Sequence, residues 1–322
     1  MIASYPIILF AFNRPWHTNQ VLNSLKDNDL SDESDLYIFI DGPKEFSSAE
    51  QRNNINEVIR ITQSNKWCKT VNVQISDFNL GCRNSILAGI TKILKEHEAV
   101  IVLEDDIVTS PHFLRYMNQC LTFYKEYKSV FSVSAMTLPE SKMKLPKNYP
   151  YDVYVSLRQL NSGWGTWRDR WELINWDLDF VPDFLNNINA VKAYTRGGDD
   201  LIRMLQEQVE GKIDAWDVQF TYNHFKNHAV SIIPRTSYID NIGGDGSGTH
   251  HFDANSYLRF DLSKAKKEPR LLEVIYEDSR IINSFYNAFT FCKRPLWQKA
   301  VNRLARSIGG EDVFTIKKKI YM

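Results

Sequence analysis

The first 135 residues alternate between strand-like and helix-like runs, and that alternation leaves few folds open. YPIILFAF (5–12) has the unbroken apolar character of a buried strand, and RPWHTNQVLNSLKDN after it reads as a helix. Pro15 falls near the first turn of that helix, where its missing N–H costs no hydrogen bond. LYIFIDGP (36–43) is a second strand ending in a turn, followed by a polar helix around Ser48 to Gln63. TVNVQIS (70–76), the amphipathic NSILAGITKILKEH (84–97) and the apolar run Ala99 to Leu103 continue the rhythm. A helix from about Pro111 to Lys128 and a strand at VFSVSA (130–135) complete it. Parallel strands need long crossovers, usually helices, and those helices cover both faces of the sheet. The expectation is α/β, with a Rossmann-like, mostly parallel sheet.

One of these strands ends oddly. Ala99 to Leu103 runs straight into Glu104, Asp105 and Asp106. Adjacent acids repel one another and gain nothing from burial, so something positive should sit beside them. In open α/β sheets ligands bind beyond the carboxyl ends of the strands. Three of the expected strands end there in polar residues: Asn13-Arg14, Asp41-Gly42 and the acidic triplet. An arginine and two acidic sites on one rim suit an anionic ligand plus a cation. Mn²⁺ and Mg²⁺ take oxygen ligands, usually one or two carboxylates plus substrate phosphate oxygens. The plainer reading is an acidic turn ahead of a helix N-terminus, worth only ~0.3–1 kcal/mol.

After residue 140 the rhythm changes. KMKLPKNYPYD is a Pro-rich linker, and SGWGTWRDRWELINW packs Trp164, Trp167, Trp171 and Trp176 closely together. Aromatics this dense build core, yet Trp164 between two glycines could also offer its face to a sugar ring. DAWDVQFTYNHFKNH (214–228) reads as a helix, on which His224 and His228 lie one turn apart as helix surface or, with a third ligand, a metal pair. YIDNIGGDGSGTHH (238–251) is a Gly-rich loop, either a connector or a lid whose His250 could grip a diphosphate. The division expected is a nucleotide-sugar-binding half over 1–140, an acceptor-side catalytic half over 141–260 and a basic helical extension over 261–322.

Composition narrows the function classes. Formal net charge is zero, so no global field steers the chain toward nucleic acid. The charge is uneven, because eight basic residues from Lys293 onward face only Glu311 and Asp312. From Leu296 the apolar residues recur between those cations, a pattern that suits an anionic membrane surface or a terminal helix packed on the body. The four cysteines lack metal spacing, and no run approaches the ~18 apolar residues of a membrane span. A cytoplasmic protein, able to sit at the inner face of the cell membrane, is expected.

The ordered set AFNRP, FIDGP, GCRNSILAGI, VLEDDIVTSPHF, SGWGTWRDRW, DAWDVQF and NIGGDGSGTH resembles a GT-A fold glycosyltransferase of the N-acetylglucosaminyltransferase-I-like branch. The likeness spans roughly residues 5–251. It implies a UDP-sugar donor, Mn²⁺ or Mg²⁺, inverting transfer of a hexose, and a glycan or lipid-linked acceptor. By position it implies Arg14 on the nucleotide phosphates or base and Asp41 accepting from a uracil N–H. It implies Asp106 as metal ligand, Asp105 on ribose and Glu104 on donor-sugar hydroxyls. Asp217, directly after Trp216, matches the catalytic base, although Val218 stands where the family often has a second acid. Without the resemblance, Asp214 and Asp217 read equally as capping acids of a helix. Arg83 has no counterpart and reads as a phosphate partner or a solvated surface residue. Two other classes fit less well: a sugar nucleotidyltransferase, which would want a Gly-rich loop after the first strand, and an inactive binding module.

Overall fold

The computed structural model describes residues 4–247 and 259–289. The alternating half folds as read: β1 (Ile7–Ala11), α1 (Pro15–Lys26), β2 (Asp35–Ile40), α2 (Ala49–Gln63), β3 (Thr70–Ile75), α3 (Cys82–Leu94) and β4 (Ala99–Glu104). A short β5 (Ile107–Thr109), α4 (Phe113–Tyr124) and β6 (Val130–Ser134) follow. Helix starts obey local chemistry. Pro15 opens α1, and α2 begins with a reciprocal capping box between Ser48 and Gln51.

The second half supplies β7 (Val153–Ser156), β8 (Trp164–Trp167), α5 (Arg168–Trp171), α6 (Val181–Asn186), α7 (Ile188–Tyr194) and α8 (Asp200–Val209). Then come α9 (Trp216–Lys226), β9 (Val230–Pro234), β10 (Ile239–Asn241) and α10 (Ser279–Phe289). Eight strands form one sheet in the order β3-β2-β1-β4-β8-β6-β9-β7. It takes strands from both sides of residue 140. β3, β2, β1 and β4 run parallel, as do β6 and β9, while β8 is antiparallel to both β4 and β6.

β8 was not expected as a strand. WGTW has no apolar run, and its glycine is what admits it. A Cβ at Gly165 would come within 2.8 Å of the Val100 carbonyl oxygen, so only a bare backbone fits against β4.

Both faces are covered. Along β1, Ile7, Leu9 and Ala11 join a core with α1, α2, α4 and α10. Ile8 and Phe10 point the other way, into a core with α3, Trp164, Trp171 and α9. This is the two-face alternation of a buried strand. A third, smaller core gathers α6, α7, α8 and the outer side of α9. In α10, Ile281, Ile282, Phe285 and Phe289 are buried, so the described part of the basic C-terminal segment packs its apolar stripe on the body. The basic residues from Lys293 on, and His250 and His251, lie outside the described residues.

Candidate active site

β1 is paired with β2 on one side and β4 on the other, so the chain reverses its direction of winding between β1 and β4. That is a topological switch point, where diverging loops leave a crevice beyond the strand ends. Arg14 leaves the end of β1 and Glu104, Asp105 and Asp106 leave the end of β4. Arg14 is the positive charge the acidic triplet called for. Its guanidinium pairs with Asp105, and its Nη2 lies 3.1 Å from the Asp106 carboxylate.

One guanidinium does not balance three carboxylates. Burial, then Asp106 and Asp105, push the Glu104 carboxyl up to about 8, against the opposing pull of Arg14. Asp106 is likewise raised, first by burial, with Arg14 holding it down. Besides burial, neighbouring carboxylates contribute to these rises, so the cluster carries an excess of acids over its one guanidinium and would welcome a cation. Among the described residues no group of three or more His, Cys, Asp or Glu is arranged to hold a metal unaided. Two oxygen-donor carboxylates, Asp105 and Asp106, fit a hard divalent ion that takes its remaining ligands from a substrate.

A second segment closes on the cluster. β10 pairs antiparallel with β5, and the Ile242 N–H donates to the Asp106 carbonyl oxygen at 2.8 Å. Gly243 then crosses the Asp106 side chain so closely that a Cβ there would overlap the carboxylate and crowd Arg14 at 3.1 Å. Beyond it, Asp245 reaches His17 Nε2 at 3.2 Å. These contacts escaped sequence reading. The loop's glycines signalled flexibility, but only the β5–β10 ladder brings Gly243 and Asp245 over the acids.

Asp217 stands in the first turn of α9 and contributes to the electrostatic environment of Glu104. Asn161 Nδ2 donates to its Oδ2 at 3.4 Å. The capping alternative does not hold. Ala215, which has no polar side chain to cap with, is the N-cap in place of Asp214, and the exposed Asp214 instead pairs with Arg83 Nε at 3.6 Å. Arg83 is neither solvated nor turned to the acids, since its guanidinium also donates to Gln219 Oε1 at 3.0 Å.

Two expected site residues are placed differently. Trp164 is 1% exposed, at the centre of the sheet, stacked on Trp216 with ring centroids 5.0 Å apart. A ring so buried has no face for a sugar, which corrects its reading as a platform. Asp41 sits at the end of β2, but its carboxylate already accepts from the N–H groups of Gly42, Leu80 and Gly81 and from Asn79 Nδ2. Those bonds use the four acceptor positions of a carboxylate, so Asp41 organises the 79–81 turn. To read a base N–H it would have to release one of them. His224 is fully buried rather than on the helix surface, and His228, exposed at a positive φ of 51°, does not share its environment.

An open cleft adjoins Asp217, and Met136, Leu138, Phe289, Gln159 and Asn161 are among the residues that line it.

No protein-family model matches the chain, and neither does any curated protein. Solved structures with some likeness include S. aureus TarS, at 16% identity and TM-score 0.40, covering 75% of this chain. The chain spans 37% of the length of that protein. Another is the galactosyltransferase LgtC in complex with donor and acceptor sugar analogs, at 11% identity and TM-score 0.37, covering 70% of this chain and 72% of that one. A third is UDP-glucose pyrophosphorylase complexed with UDP-glucose, at 11% identity and TM-score 0.36, covering 72% and 91%.

Proposed function

We propose that this chain is a metal-dependent glycosyltransferase that moves a hexose from a UDP-sugar to a glycan or lipid-linked acceptor with inversion. The supporting observation is the meeting of Arg14, Asp105 and Asp106 at the β1/β4 switch point, with the charge of Asp217 on α9 felt at Glu104. In this reading Arg14 contacts the diphosphate once a ligand draws it from the acids. Asp105 takes ribose hydroxyls and Glu104 those of the donor sugar. Asp106 would hold Mn²⁺ or Mg²⁺, which when bound neutralises charge on the leaving diphosphate.

The transfer step needs a nucleophile. The acceptor hydroxyl oxygen bonds to the anomeric carbon from the face opposite the leaving group. Its proton passes to the Asp217 carboxylate, and the bonding pair of the old C–O bond leaves on the diphosphate oxygen. The 242–247 backbone over Asp106 would keep water from the donor, since hydrolysis competes with transfer. The eight basic residues after residue 292 carry the companion proposal of contact with an anionic membrane from the cytoplasmic side, tested by co-sedimentation with anionic vesicles at low salt. No helix among the described residues is long and apolar enough to cross a membrane.

The experiment is a screen of nucleotide sugars for released nucleotide, with and without Mn²⁺. Metal-dependent release of UDP supports the reading. Formation of a nucleotide sugar from a sugar phosphate and UTP would favour a nucleotidyltransferase. No turnover with any donor would point to a binding module.

A further inference from the structure

The cleft beside Asp217 contains a polar group with nothing to bond. Gln159 is 5% exposed, and neither its amide oxygen nor its amide nitrogen has a hydrogen-bond partner. A buried orphan of this kind destabilises the fold until something bonds it. The two neighbouring polar side chains of the segment between β7 and β8 are engaged: Arg158 Nη1 meets both Asp200 oxygens at 2.8 Å, and Asn161 donates to Asp217. Gln159 alone of the three lines the cleft with its amide unmatched.

The rest of the lining defines what would match it. Met136, Leu138 and Phe289 present apolar surface, while the amide and Asp217 are polar. Apolar surface combined with a few hydrogen-bonding groups suits a pyranose, with C–H bonds on one face and hydroxyls around its edge. Arg158 is neutralised by Asp200 and lies 4.1 Å over the Phe289 ring. Among the described lining residues the other charged groups are Lys142 and Asp217, one of each sign, so a phosphorylated ligand meets no net positive charge from them.

We infer that this cleft is the acceptor subsite, that it takes a neutral hydroxylated sugar ring, and that Gln159 turns its amide to read one of the hydroxyls. The inference rests on the glycosyltransferase reading, because it is Asp217 that makes a sugar in this cleft an acceptor. Gln159 is a specificity residue here; it touches the acceptor and not the reacting proton.

The test is saturation-transfer NMR and titration with the methyl glycosides of glucose, galactose and N-acetylglucosamine, alongside glucose 1-phosphate. The proteins are wild type and Gln159→Met, a replacement of similar size. At least one glycoside binds wild type, glucose 1-phosphate binds no better, and Gln159→Met raises the glycoside Kd at least ~10-fold, the scale of one lost hydrogen bond. The melting temperature of Gln159→Met stays level or rises, because an unmatched amide has been replaced by an apolar chain. Failure of all three glycosides, preference for the phosphate, unchanged affinity in Gln159→Met, or a fall in its melting temperature would each overturn the subsite. UDP with Mn²⁺ titrated into wild type separates the two ideas. If UDP binds and no glycoside does, only the subsite fails; if UDP does not bind, the glycosyltransferase reading fails with it.

Discussion

Asp217 separates a chemical from a structural role more cleanly than any other residue. A capping acid removed from a helix costs ~0.5–2 kcal/mol of stability and leaves chemistry alone. Asp217 is not the N-cap, so Asp217→Asn should leave the melting temperature nearly unchanged. It should lower turnover by a factor on the order of 10² or more, the scale of a lost general base. Paired melting and steady-state measurements decide; normal turnover would remove Asp217 from the chemistry. Gly243 offers an independent check on the acidic cluster. A methyl group there has no room beside the Asp106 carboxylate and Arg14, so Gly243→Ala must displace the 242–247 segment. Overpacking of this kind costs ~1–3 kcal/mol. Calorimetry should find UDP affinity weakened along with that loss, and unaltered affinity would place the nucleotide elsewhere.

Elements were legible where local pattern and tertiary need agreed. β1 and β4 were readable because strands buried on both faces are apolar nearly throughout, β2 because its buried positions alternate with half-buried ones, and α2 because Ser48 and Gln51 form its cap. β8 was hidden. Its placement depends on Val100 and Met117 accepting Gly165 at close range, which is a fact about neighbours distant in sequence. For the same reason the Trp164 ring, flanked by glycines, read as a possible surface and is core. Arg14 and the triplet were legible as a rim, but Gly243, Asp245 and Gln159 were not, since long-range pairing puts them there.

His224 shows what the helix pattern missed. On α9 its Nδ1–H donates to the Phe220 carbonyl at 2.8 Å, and Nε2 faces the Ser132 hydroxyl of β6 at 3.0 Å, within a chain that continues to Ser231 of β9. Burial pushes its pKa from the ordinary 6.5 down to about 4. The unfolded chain therefore binds the proton first as pH falls, so stability is full above about 6.5 and is lost toward 4. Between pH 7 and 5 this histidine alone should cost about 2 kcal/mol. Denaturant unfolding at both pH values should find that drop in wild type and a smaller one in His224→Gln; equal drops would contradict it. In α10, Phe285→Ala should cost ~3–5 kcal/mol, since the ring is 2% exposed in the main core. A negligible loss by the same unfolding measurement would mean α10 does not dock on the body.

At the scale of the whole molecule, one continuous sheet sets the site. β3, β2, β1 and β4 run parallel, antiparallel β8 joins them to the strands of the second half, and α9 brings the charge of Asp217 within reach of Glu104. The residues proposed for the donor thus come from the legible half, and those proposed for the acceptor from the half whose order depends on long-range contacts. The central claim is that Asp106 and its neighbours hold a nucleotide diphosphate through a divalent ion. Calorimetric titration of UDP into wild type and Asp106→Asn, each with Mn²⁺ and with chelator, tests it directly. Wild type should bind UDP only with metal, and Asp106→Asn, still folded by its melting curve, should lose that binding. UDP affinity in Asp106→Asn equal to wild type, with the same dependence on Mn²⁺, would contradict the claim.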